Sequence, residues 1–174
     1  TAVIIQPSPL LTLDPDFSIC EQVTLIDLRS VIENAGNITW TSSGNGNITP
    51  TDTSRIANYQ LTNDDITNSE VEFYATTEQN GVCNATTDTL KVAIDKSPTV
   101  QLPNDTLICE SNPSLQITVE TQFTTELEWI GEGVFSNPAS NTTFYTPSAN
   151  ELTTGEAVII VKTNELTSCE ESAD

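Results

Sequence analysis

The residues in this chain with chemistry to offer are few. They are four cysteines, Cys20, Cys83, Cys109 and Cys169, two tryptophans, Trp40 and Trp129, three tyrosines and 25 acidic side chains. There is no histidine, which removes the commonest general base, the Ser-His-Asp and Cys-His nucleophiles and the commonest metal ligand. Paired carboxylates on alternate strand positions, Glu70/Glu72 and Glu126/Glu128, have the residue types of a glycosidase. However, Glu128 adjoins Trp129. A core-facing Trp129 turns that glutamate to solvent, so these pairs read as a solvated acidic face. Calcium suits the remaining carboxylates better, since it takes oxygen ligands from loops. The candidate ligands are Asp64 and Asp65 in one acidic loop, Asp14 and Asp16 in a Pro-containing entry segment, and Asp95 and Asp105 around a mid-chain junction. The tripeptides beginning at Asp88 and Asp105 make Thr89 and Thr106 candidate O-glycosylation sites.

These residues have to be positioned by short strands. The chain of 174 residues carries a net charge of −20, and Thr, Ser and Asn supply 58 of its residues. Apolar residues fall in β-branched runs such as Val71–Ala75 and Leu90–Ile94, separated by Asn, Gly, Pro and Asp. That pattern reads as all-β, with turn chemistry between strands and weak helical periodicity throughout. The negative charge argues against nucleic acid and anionic lipid as partners. No apolar run reaches the roughly 18 residues of a membrane span. The chain opens on Thr1 without a leader pattern and reads as a mature or excised piece of a longer polypeptide.

An internal repeat organises the chain. Cys20 precedes Trp40 by 20 residues, as Cys109 precedes Trp129; Tyr59 precedes Cys83 by 24, as Tyr145 precedes Cys169. The segment from Asp65 aligns with that from Glu151, and Val3, Ile5, Ser8 and Pro9 align with Val92, Ile94, Ser97 and Pro98. The expected domains are residues 9–96 and 97–174. Residues 1–8 are the final strand of a preceding repeat or a donor strand, and the second repeat lacks its own last strand.

A domain of about 85 residues with about seven short strands, and with Cys, Trp and Cys in this order, matches an immunoglobulin-like sandwich. Two tandem sandwiches of this kind are the expected fold, with Trp40, Trp129, Tyr59 and Tyr145 in their cores. Four cysteines allow three pairings, and the repeat selects Cys20–Cys83 and Cys109–Cys169, one bridge in each domain. Each would close a loop of about 60 residues, worth about 3–4 kcal/mol on the chain-entropy model, and would place the chain in an oxidising, extracellular compartment.

The Ile-Cys pair, the Trp, the Gly-x-Gly turns (Gly44/Gly46 and Gly131/Gly133), the stretch Tyr145–Glu151 and the strand Thr87–Ile94 together resemble the PKD-like or Ig-like repeats of SprB-like gliding-motility adhesins of Bacteroidota. The resemblance spans essentially the whole chain. It implies a cell-surface filament or adhesin, moved along the cell by a motility motor and without enzymatic activity; neighbouring repeats of the same protein are the expected partners, and a surface polysaccharide is a further candidate. Two other readings compete. One is a carbohydrate-binding module, which needs exposed aromatics; the other is a filament subunit assembled by β-strand donation through residues 1–6.

Overall fold

The computed structural model describes residues 1–50, 54–124, 126–164 and 167–174. The chain divides into a first unit, Thr1–Asp95, and a second, Lys96–Asp174.

In the first unit, two four-stranded sheets face each other across one core. One has the order β1 (Leu10–Leu13), β3 (Leu25–Glu33), β6 (Ile56–Gln60) and β5 (Ile48–Thr49). The other runs β2 (Phe17–Cys20), β8 (Thr87–Asp95), β7 (Glu70–Thr77) and β4 (Ile38–Ser42). All pairings are antiparallel except β2 with β8. Burial alternates along β3 and β7, as a strand with one face on a core requires. Leu28, Tyr59, Val71, Phe73, Leu90 and Val92 are fully enclosed, and the Tyr59 and Phe73 rings meet edge to face at 4.9 Å.

Where the chain leaves β1 for the opposite sheet, carboxylates stand in for strand carbonyls. Asp88 accepts from the Leu13 amide and Asp16 from the Lys91 amide, each at 2.9 Å. The leading residues form no strand but are tied down. The Gln6 amide donates to Asn80 Oδ1 at 2.8 Å, Asn80 Nδ2 to the Pro7 carbonyl at 3.1 Å, and Thr86 Oγ1 to the Pro9 carbonyl at 3.0 Å.

The second unit repeats this plan with shorter strands. β9 (Thr99–Gln101) pairs with β11 (Glu120–Gln122), and β10 (Leu115–Thr118) pairs with β14 (Thr142–Thr146), which also holds β13 (Val134–Phe135). β12 (Leu127–Ile130) pairs with β15 (Ile160–Thr163). Val161, Tyr145, Trp129 and Ile117 form its core.

The two units differ where the first has β2. Residues 106–109, the counterpart of β2, form no strand. In the first unit the partner of β2 is β8. In the second unit the segment in that place is Ser172–Asp174, which pairs back onto β15. Thr163 N donates to Ser172 O at 2.9 Å, as Thr77 N does to Thr86 O at the same distance. Residues 106–109 make no strand pairing among the described residues, and Leu107 is 99% exposed.

Two short helices depart from the expectation of strands alone: α1 (Asn63–Asn68) and α2 (Ala149–Thr154). Too short to carry a periodicity, they are fixed at their ends. Each has a capping box, Thr62 with Asp65 and Ser148 with Glu151, and each stops at a left-handed residue, Ser69 or Gly155, which satisfies the end groups of a single turn.

Trp40 lies in the first unit and Trp129 in the second, and the chain has no other tryptophan. Replacing one by Phe leaves the other to report its own unit. Leu28→Ala in a Trp129→Phe background is expected to lower first-unit stability by about 2–5 kcal/mol, read by Trp40 fluorescence in urea. In a Trp40→Phe background the same change should leave the Trp129 signal in place.

Candidate functional site

The side chains that the sequence marks by position converge in each unit on one buried cluster, built from the same parts twice. In the first, Tyr59 on β6 points its hydroxyl across the core. The hydroxyl donates to Asp65 Oδ2 at 2.8 Å and accepts from the Gly46 amide at 2.7 Å. Asp65 is only 1% exposed. Its carboxylate also accepts from the Thr62 amide at 3.0 Å, from Thr62 Oγ1 at 2.7 Å and from the Asn45 amide at 3.0 Å. In the second unit, Tyr145 on β14 donates to Glu151 Oε1 at 2.6 Å and accepts from the Gly133 amide at 2.9 Å; the Ser148 amide donates to Glu151 Oε2 at 2.7 Å.

The cluster ties three parts of each fold together: the strand bearing the tyrosine, the turn after the tryptophan strand, and the helix start. Glycine is required at the turn because the tyrosine lies against it. A Cβ on Gly46 would overlap the Gln60 carbonyl and the Tyr59 ring, and one on Gly133 the Thr146 carbonyl and the Tyr145 ring.

The electrostatics follow from burial and hydrogen bonding. Burial alone pushes the Asp65 carboxyl up, but hydrogen bonds from Thr62, Tyr59 and Asn45 outweigh it and hold the group below its ordinary value. Glu151 behaves likewise, with Tyr145 and Ser148 outweighing burial. Burial, reinforced by the hydrogen bond to the carboxylate, pushes Tyr59 and Tyr145 up to about 12. The carboxylates therefore stay ionised and the phenols stay protonated at neutral pH. Each phenol is a fixed donor, with its proton committed to an internal acceptor.

Trp40 and Trp129 lie at 4% and 5% exposure. Each indole N–H donates to a loop carbonyl, Ser54 or Ser140, at 3.0 Å. Neither ring offers a face to a sugar. Glu128 and Trp129 alternate out and in along β12, and Glu128 pairs with Lys162 at 2.9 Å.

The carboxylates nominated for calcium are not brought together. Among the described residues no group of three acidic or thiol side chains could hold a metal ion. Asp65 is enclosed by the donors already named. Asp64 accepts from Asn45 Nδ2 at 3.1 Å; Asp16 holds the Lys91 amide. Asp14 and Asp105 are exposed on strandless segments, and Asp95 ends β8. Thr89 and Thr106 are both exposed.

The cysteines require a correction. Cys83 and Cys109 are free thiols, whereas Cys20 and Cys169 are disulfide-bonded. The expected bridges Cys20–Cys83 and Cys109–Cys169 therefore do not form. The reason is visible in the first unit. Cys20 is registered against Asp95, at one end of β8, and Cys83 precedes Thr87, at the other end. Eight strand steps separate those ends by about 26 Å, far beyond the ~7 Å Cα limit of a disulfide. Equal spacing along the chain does not imply that the two positions meet in space.

Sequence reasoning placed the tyrosines in the core but missed their acidic partner, and assigned Asp65 to a metal loop. A signal was available: Thr62-x-x-Asp65 and Ser148-x-x-Glu151 are capping boxes, each with its acid six residues after the tyrosine.

A comparison with protein-family models finds no match, and neither does one with curated protein sequences. Solved structures do resemble the chain. The D1-D2 pair of Rst matches over 97% of this chain and 97% of its own, at 11% identity and a TM-score of 0.51. The D00-D0 domain of intimin matches over 94% and 96%, at 13% identity and a TM-score of 0.45. Human protocadherin-24 EC1-2 matches over 98% and 94%, at 10% identity and 0.44. At these identities the first likeness shows the fold alone: the chain is all-β and immunoglobulin-like.

Tyr59→Phe leaves the buried Asp65 carboxylate and the Gly46 amide each short of a partner, and is expected to cost about 1–3 kcal/mol. The pH dependence has two arms. The depressed carboxyls supply stability that is present above the ordinary carboxylate range and lost as pH falls below about 4. The raised phenols supply stability that is complete below about pH 10 and lost toward about 12. Chemical denaturation across pH should show both arms, and Tyr59→Phe should remove the alkaline arm from the first unit.

Proposed function

We propose that this chain is a structural repeat module of an extracellular bacterial filament or adhesin, involved in surface adhesion and gliding motility. The observation that carries the reading is the duplicated latch. Two units share one internal wiring, and the polar side chains that recur between them are consumed in holding their own folds. A repeat that conserves only its scaffold acts as a spacer whose length and stiffness are its output. The acidic surface keeps such filaments apart by like-charge repulsion. The repeat pattern in the sequence supports the same reading, as does the likeness of the fold to a two-domain Ig-like structure.

A second reading, assembly by strand donation, has one specific observation in its favour. Val3, Ile4 and Ile5 are 85–92% exposed, yet the residues that Val3 and Ile5 match in the repeat, Val92 and Ile94, are 0% and 3% exposed in the first core. An apolar strand of that register fits an open edge of another sandwich.

An antibody raised against the 174-residue chain is expected to label intact cells of the source bacterium and to block their attachment or surface translocation. Labelling that appears only after permeabilisation would overturn the surface reading. For strand donation, the purified chain under reducing conditions should form concentration-dependent oligomers by sedimentation, and deletion of residues 1–6 should abolish them.

A further inference from the structure

Each unit carries one cysteine at the end where the chain enters and one at the end where it leaves. In the first unit, Cys83 lies at the entry end. Its Sγ sits 3.4 Å from the Gln6 carbonyl, and its backbone amide donates to Asn80, which binds Pro7. Cys20 lies at the exit end, registered against Asp95, whose carbonyl accepts from the Glu21 amide at 2.9 Å. In the second unit, Cys169 lies at the entry end, with Sγ 3.8 Å from Ser97 Oγ. Gln6 and Ser8 occupy the repeat positions of Asp95 and Ser97, so Cys83 and Cys169 occupy the same site.

Cys109 takes the place of Cys20. Its neighbours Ile108 and Glu110 line a cleft with Gly155 and Glu156, at the C-terminal end of α2. The corresponding cap in the first unit, Ser69, bonds Ile94 at the exit end of β8. Thus both classes of site, entry and exit, have one member that is disulfide-bonded, Cys169 and Cys20, and one that is free, Cys83 and Cys109. In the first unit β8 sets the two ends about 26 Å apart, so a partner from the same repeat is out of reach there.

We propose that Cys83 and Cys109 are half-bridges to neighbouring repeats: Cys83 joins the exit-end cysteine of the repeat before it, and Cys109 the entry-end cysteine of the repeat after it. This rests on the tandem-repeat reading. Each bridge forms one S–S bond from two thiols; two electrons and two protons pass to the disulfide of an extracytoplasmic thiol oxidoreductase, which becomes a dithiol. Cys109 is suited to the exchange. It is exposed, and hydrogen bonding from Ser111 lowers its thiol below the ordinary value, which favours the reactive thiolate. Bridges of this kind lock successive sandwiches end to end rather than bracing each one internally, and a pull along the filament then loads them as cross-links between repeats.

Each copy of this chain carries a free Cys83 at the entry end of its first unit and a free Cys109 in its second. Incubation of the reduced, refolded chain with glutathione disulfide is therefore expected to give a non-reducing gel ladder. Peptide mapping of that ladder should show Cys83–Cys109 links. Cys83→Ser and Cys109→Ser should each stop it at the dimer or below. Mapping that finds Cys20–Cys83 or Cys109–Cys169, or ladder links without preference for Cys83–Cys109, overturns the proposal. On the natural protein, Cys83 and Cys109 are expected to resist alkylation on intact cells until reduced. Reduction that leaves the denatured size unchanged places the partner in the same polypeptide, and a fall in size places it in a second copy. Full alkylation of both thiols without reduction overturns the staple. The surface reading is then judged separately by antibody labelling of the same cells.

Discussion

A charged carboxylate buried beneath a β-sandwich is the constraint on which each unit of this protein depends. Asp65 and Glu151 are 1% and 6% exposed, and an ionised group so placed is tolerated only when its oxygens are met by donors. The donors are a tyrosine hydroxyl and the backbone amide and hydroxyl of a helix cap, and in the first unit a turn amide as well. Meeting that demand fixes the tyrosine rotamer, the turn that approaches it and the point at which the helix begins. The core gains a rigid polar pin.

The latch survives a change of acid. Aspartate serves in one unit and glutamate, one methylene longer, in the other, yet the tyrosine and the capping residue meet it in the same way, and the glycine amide donates to the tyrosine hydroxyl in both. Among the described residues, the longer acid receives no counterpart of the turn amide that Asn45 supplies to Asp65. What the repeat preserves is therefore a geometry of satisfied donors rather than one side chain. The strand inventory is less constant. In the first unit β2 pairs with β8, whereas its counterpart in the second, residues 106–109, forms no strand.

These features bear on mechanics more than on chemistry. The tyrosines are held protonated, the tryptophans are covered, and the acids that recur are occupied. Stiffness within a unit comes from the latch and the core. The cysteines stand at the ends of the units, and no bridge from Cys20 to Cys83 or from Cys109 to Cys169 braces them internally.

Much of this was legible in the sequence, for a physical reason. A two-residue period of apolar side chains dictates strands, and matched Cys-to-Trp and Tyr-to-acid spacings of 20 and 6 residues dictate two like cores. Trp40, Trp129, Tyr59 and Tyr145 needed no coordinates to be seen as a set. The short helices escaped because six residues hold no periodicity, although their capping boxes were written in Thr62 and Ser148. Asp65 was misread because an acid in an Asn-Asp-Asp loop looks the same in sequence whether it faces solvent or core. Only the fold, by passing Tyr59 over that loop, decided that it was buried. The cysteines show the limit most clearly. Their spacing identified the repeat, but a disulfide depends on distance in space. The nine-residue length of β8, set by tertiary pairing, put Cys20 and Cys83 at opposite ends of one sandwich.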